Sequence, residues 1–95
     1  MYVRELPPDT GMLFIFEQPQ FASFWMHNTY LSLDLIFIAA DGTVVNIAAG
    51  TRPLSFDPIV STAPVRYVLE LVAGAAAKIG LKPGDRIMSS RFALQ

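Results

Sequence analysis

The chain has 95 residues, 53% of them apolar and only 16% charged, with 7 basic and 8 acidic side chains giving a net charge of -1 and no cysteine. That balance excludes a disordered chain and every chemistry that needs a thiolate, including disulfides, iron–sulfur clusters and cysteine-bound zinc. The cations Arg4, Arg52, Arg66, Lys78, Lys82, Arg86 and Arg91 are scattered rather than gathered into a stripe. No nucleic-acid partner is therefore expected.

A chain of this size fits one domain, 1–95, able to bury about 60–68% of its unfolded surface. With so few charges, some apolar surface is expected to stay exposed, in a groove or at a subunit contact. Residues 1–10 carry no apolar h-region, so no signal peptide is expected in this numbering. Residues 12–16 form a solid apolar block between Gly11 and Pro19, the pattern of a buried strand. The aromatic-rich "FASFWM", residues 21–26, is also strand-prone. Two apolar runs then flank Asp41-Gly42, a strong hairpin signal. The longest apolar run, residues 35–40, is far too short to span a bilayer, so no transmembrane segment is expected.

Residues 50–64 contain Gly50, Pro53, Pro58 and Pro64, which predicts a long surface loop, a kind of segment that is frequently functional. "VRYVLELVA" predicts another strand, and the alanines before Gly80 a short helix. Pro83-Gly84 predicts a turn, stabilised by Asp85, and then a last strand through residue 92. The expected fold is mainly β: a compact antiparallel β-barrel or rolled sheet of about six strands with one short helix near residues 74–80.

Residues 25–29 hold the only Trp and the only His of the chain, followed by Asn28 and Thr29. On a strand Trp25 and His27 share one face, while Phe24 and Met26 take the other. One reading is a strand end closed by a polar turn, because Asn and Thr side chains satisfy turn backbone. The other is a ligand surface of Trp25, His27, Asn28, Thr29 and Tyr30, suited to a saccharide-like small polar molecule.

Asp34 and Glu70 are embedded in apolar strands, where a carboxylate must find hydrogen-bond donors or a cation. They could form a catalytic acid/base pair, or each could be tied structurally. The plausible metal ligands are His27, Asp34, Asp57, Glu70 and Asp85, with no H-x-H, H-E-x-x-H or D-x-D spacing, so no metal and no cofactor are expected. There is no G-x-S-x-G elbow and no P-loop. Gly84 and Asp85 are expected to be a structural turn.

The segments "GMLFIF", "FWMHNTYLSLDLIFIAADGTVVNI" and "PVRYVLELVAGAAAKIGLKPGDRI" occur in this order and together resemble the family called domain of unknown function 192. The positions that match its signature are Phe24, Trp25, Met26, Asn28, Thr29, Leu33, Asp34, Gly42, Glu70, Gly74, Gly84 and Asp85. The resemblance implies a small, mainly β, barrel-like domain, and a periplasmic or exported location, since many members carry an export signal. His27 stands where the family usually has Lys, and Ser32 where Pro is common. The resemblance also implies that the chain starts inside the domain and lacks the family's first strand. An edge left open in that way could pair two chains into a homodimer.

The function expected on these grounds is a non-catalytic small-ligand or envelope-associated binding or accessory module. The alternatives are an assembly protein pairing through an open sheet edge, and a small hydrolase or lyase using Asp34 and Glu70.

Overall fold

A computed structural model describes the backbone of residues 3–6 and the whole of residues 11–89. Residues 1–2 and the expected end of the last strand, 90–92, lie outside the described residues. The elements in chain order are β1 (Val3–Leu6), β2 (Met12–Gln20), β3 (Ser23–Phe24), β4 (Leu33–Ile38), β5 (Val44–Ala48), β6 (Ile59–Val60), β7 (Val65–Val72), α1 (Ala75–Lys78) and β8 (Arg86–Ser89). A four-stranded antiparallel sheet in the order β2-β7-β4-β5 forms the centre. Two short pairs flank it, β3–β6 antiparallel and β1–β8 parallel.

The centre of the sheet follows from the apolar run of β4. Asp34, Leu35, Ile36, Phe37 and Ile38 are all buried, because the sheet is covered on both faces. Ile36 and Ile38 pack with Tyr67, Leu69 and Leu71 under Ala76, Leu81 and Ile87. Leu35 and Phe37 pack on the opposite face with Val68 and Ala22, joined by Phe16, Phe24 and Ile59. Phe24 stands edge-on to Phe37, with ring centroids 6.3 Å apart. Each fully buried side chain of this size contributes about 1.5–3 kcal/mol.

The Asp41-Gly42 hairpin forms as its sequence dictates. Thr43 N–H donates to Asp41 Oδ1 at 2.9 Å, and Gly42 N–H donates to the Ala39 carbonyl at 2.9 Å. The hydrogen bond from Thr43 holds the Asp41 carboxyl below its usual range, with help from the Arg86 charge. Gly42 has φ +91°, and a Cβ there would stand 2.6 Å from the Ile87 carbonyl oxygen. Only glycine meets both demands.

Of the two forms expected, barrel or rolled sheet, the pairing gives the rolled sheet. The sheet does not close into a barrel: β2 and β5 remain at the two ends of its order. Closure would require the outer edge of β2 to pair with that of β5, and no such pairing occurs among the described residues. The sheet instead rolls over the β3–β6 pair, and Asn46 of β5 hydrogen-bonds Val60 and Thr62.

The apolar block at residues 12–16 is not a buried strand. Met12 and Ile15 are exposed, since β2 ends the sheet order among the described residues and cover on the faces runs out there. Residues 21–26 supply just the two-residue β3, and the 50–64 loop contains β6. The predicted helix is the single turn Ala75–Lys78.

Candidate functional site

At the end of the sheet where β4 begins, the chain turns sharply after β3. Met26 is buried and anchors this turn, which Thr29 N–H closes onto the Met26 carbonyl at 3.0 Å. The alternation expected on a strand persists here, with Met26 inward, Trp25 58% exposed and His27 half-buried. Tyr30 projects fully, at 81% exposure.

The first part of the 50–64 loop is laced against this segment. Thr51 N–H donates to the Leu33 carbonyl at 2.8 Å, and Leu33 N–H donates to Thr51 Oγ1 at 3.0 Å. Ser32 Oγ donates to the Thr51 carbonyl at 2.7 Å. Leu54 N–H then donates to the Thr29 carbonyl at 3.0 Å. Leu54 is held at φ +61°, a left-handed conformation that is unfavourable for a bulky side chain and persists only where surrounding bonds impose it.

The loop delivers Phe56 onto the turn. Its ring centroid lies 4.4 Å from His27 and 6.2 Å from Trp25, edge-on, while Trp25 and His27 are 5.3 Å apart. These are contact distances between packed rings. The three rings therefore form one contiguous aromatic platform, its rings inclined to one another by 41°, 44° and 82°. Phe56 is 66% exposed. His27 Nδ1 is buried in the cluster without a hydrogen-bond partner among the described residues. Asn28 and Tyr30 are exposed, and their side chains make no hydrogen bond among the described residues.

Sequence reasoning marked residues 50–64 as a loop of a frequently functional kind but missed Phe56. The available signal was that Phe56 is the only aromatic in residues 50–64.

The two acids do not converge. Asp34 lies opposite Leu71, and Glu70 lies opposite Leu35. Directly opposed residues share a face and neighbours along a strand alternate, so the two carboxyls point to opposite sides of the sheet. Asp34 is fully buried. Its Oδ1 accepts from Gly50 N–H at 2.8 Å and its Oδ2 from Ala76 N–H at 2.9 Å.

Gly74, which precedes α1, has no side chain to cap the helix. Asp34 does so from β4 beneath it, satisfying an N–H that a first helical turn leaves open. The half-buried Glu70 titrates above the ordinary carboxylate range because burial desolvates its charged form. Gly84 and Asp85 shape the turn before β8. Asp85 Oδ2 accepts from Lys82 N–H at 3.0 Å, and Gly84 N–H donates to the Val44 carbonyl at 2.8 Å.

Among the described residues, no three His, Asp or Glu side chains gather where they could hold a metal ion. No helix there is long and apolar enough to cross a membrane.

The fold defines a small, open-sheet β domain whose distinctive surface is borne on two interlocked loops. Residues 1–89 match the profile of DUF192, described as an uncharacterized ACR, and the chain belongs to that family. Two crystal structures are similar to it. A candidate transcription regulator from Sinorhizobium meliloti 1021 is 50% identical, with a TM-score of 0.77 over 90% of this chain and 67% of that one. A protein of unknown function from Novosphingobium aromaticivorans DSM 12444 is 43% identical, with a TM-score of 0.78. The match covers 85% of this chain and spans 58% of that protein. No curated protein matches the chain.

Proposed function

We propose that the chain is a non-catalytic binding or accessory module of the bacterial cell envelope. Its ligand is a small polar molecule with an apolar face, of which a saccharide is the simplest example. The observation that carries this reading is the Trp25–His27–Phe56 platform, three rings in contact with two of them largely exposed. Asn28, Thr29 and Tyr30 surround it with hydrogen-bonding groups. Such a combination of exposed aromatic rings and a few polar groups suits a ligand that must be both stacked and oriented.

The laced loop supports the same reading. Hydrogen bonds on either side of Arg52 and Pro53 fix the surface before a ligand arrives, which lowers the ordering cost of binding. A net charge of -1 with scattered cations does not suit a nucleic-acid surface.

With a single Trp in the chain, its fluorescence reports on the platform. A shift on titration with a glycan panel is the expected result. Full iodide quenching that no glycan alters would contradict the proposal.

A second reading, self-assembly through a sheet edge, is favoured by β2, which ends the strand order and exposes Met12, Phe14 and Ile15. Unprotected edges of this kind template strand pairing. A concentration-independent monomer in small-angle scattering would dismiss it.

A further inference from the structure

Building on the platform reading above, we propose that the site takes an anionic saccharide, its ring face on the Trp25–Phe56 surface and its carboxylate or phosphate on Arg52. Arg52 is exposed, and its guanidinium makes no hydrogen bond or ion pair among the described residues. It occupies the short span between the two anchors of the loop. Thr51 is tied to Ser32 and Leu33 on one side, and Leu54 is tied to Thr29 on the other.

Pro53 restricts the backbone between those anchors, because its ring fixes φ. The cation therefore rises from a fixed base on the same loop that carries Phe56. A guanidinium presents a planar fork of donors that matches a carboxylate or a phosphate in bidentate fashion.

The acids nearby divide cleanly. Asp34 is buried under two backbone N–H groups and offers nothing to a ligand. Asp57 follows Phe56 directly and is exposed, with Ser55 Oγ bonded to its backbone N–H. Its charge opposes an anion, which sets a second test of opposite sign. Asn28 and Tyr30 contribute neutral hydrogen bonds and hold no preference for charge.

The test titrates Trp25 fluorescence with sodium glucuronate, glucose 6-phosphate and the neutral methyl glucoside. One anion or both should bind about tenfold more tightly than the glucoside, the margin of a charge-assisted contact. A response to one anion alone separates carboxylate from phosphate, and a response to both assigns the site to the anionic charge they share.

Arg52→Gln should erase the margin and leave glucoside affinity within about twofold. Arg52→Lys should retain part of it, Asp57→Asn should widen it, and added salt should narrow it. A glucoside that binds as tightly as the anions overturns the anion assignment and leaves the platform standing. So does an Arg52→Gln change that weakens all three ligands equally. If none of the three moves the Trp25 signal, the saccharide platform itself fails, and the anion assignment with it.

Discussion

Asp34→Asn isolates the role of the buried carboxylate. The side chain keeps its shape, but one of its two acceptor oxygens becomes an NH2 donor. Gly50 N–H and Ala76 N–H, now 2.8 and 2.9 Å from carboxylate oxygens, cannot both remain satisfied. One of these two N–H groups is stranded, at a cost of about 1–3 kcal/mol, and the surviving bond loses its charge assistance. Easier desolvation of the neutral amide offsets part of that. The net expectation is a loss of about 2–3 kcal/mol. In a domain of this size it lowers Tm by about 8–24 °C.

Chemical denaturation followed by circular dichroism measures the change as a lower midpoint with an unchanged slope. Amide exchange should accelerate first at Gly50 and Ala76, where the loop and α1 are pinned to β4. If Asp34→Asn kept its midpoint and those two amides stayed protected, the structural account of Asp34 would be wrong.

Gly42→Ala should cost about 2–4 kcal/mol, since it combines a positive φ with a clash against the Ile87 carbonyl. Thermal melts read this directly. Glu70→Gln should change the pH profile of stability. Desolvation raises the Glu70 pKa, so the folded protein holds that proton more tightly than the unfolded chain does. The wild type consequently loses stability as pH rises from the ordinary glutamate range through the raised folded-state value. The variant should be more stable than wild type near neutrality, with the advantage gone in acid; a Tm difference that does not vary with pH would refute this. Trp25→Ala should abolish glycan-induced chemical-shift changes at Asn28 and Tyr30 while lowering Tm little, because the ring is 58% exposed. A collapse of the fold instead would mark Trp25 as core.

The parts legible in the sequence were those set by neighbours along the chain. Asp41-Gly42 specified its hairpin through an aspartate that hydrogen-bonds two residues on and a glycine free to take positive φ. The run in β4 fills both alternating sets with apolar residues, the composition of a strand covered on both faces. Pro83-Gly84 and Asp85 closed a turn with their own backbone and side-chain groups.

Tertiary structure decided which strand lay beside which, and in what register. That choice sent Asp34 and Glu70 to opposite faces and gave Asp34 its donors from residues 16 and 42 positions away. It left the apolar β2 at an open edge, where periodicity alone pointed to burial. It also carried Phe56 across the molecule onto His27, completing a surface of which the sequence displayed only the Trp25–Tyr30 half. Turn chemistry acts over two or three residues, whereas register and loop docking depend on hydrogen bonds and ring contacts between distant segments, which form only as the chain packs.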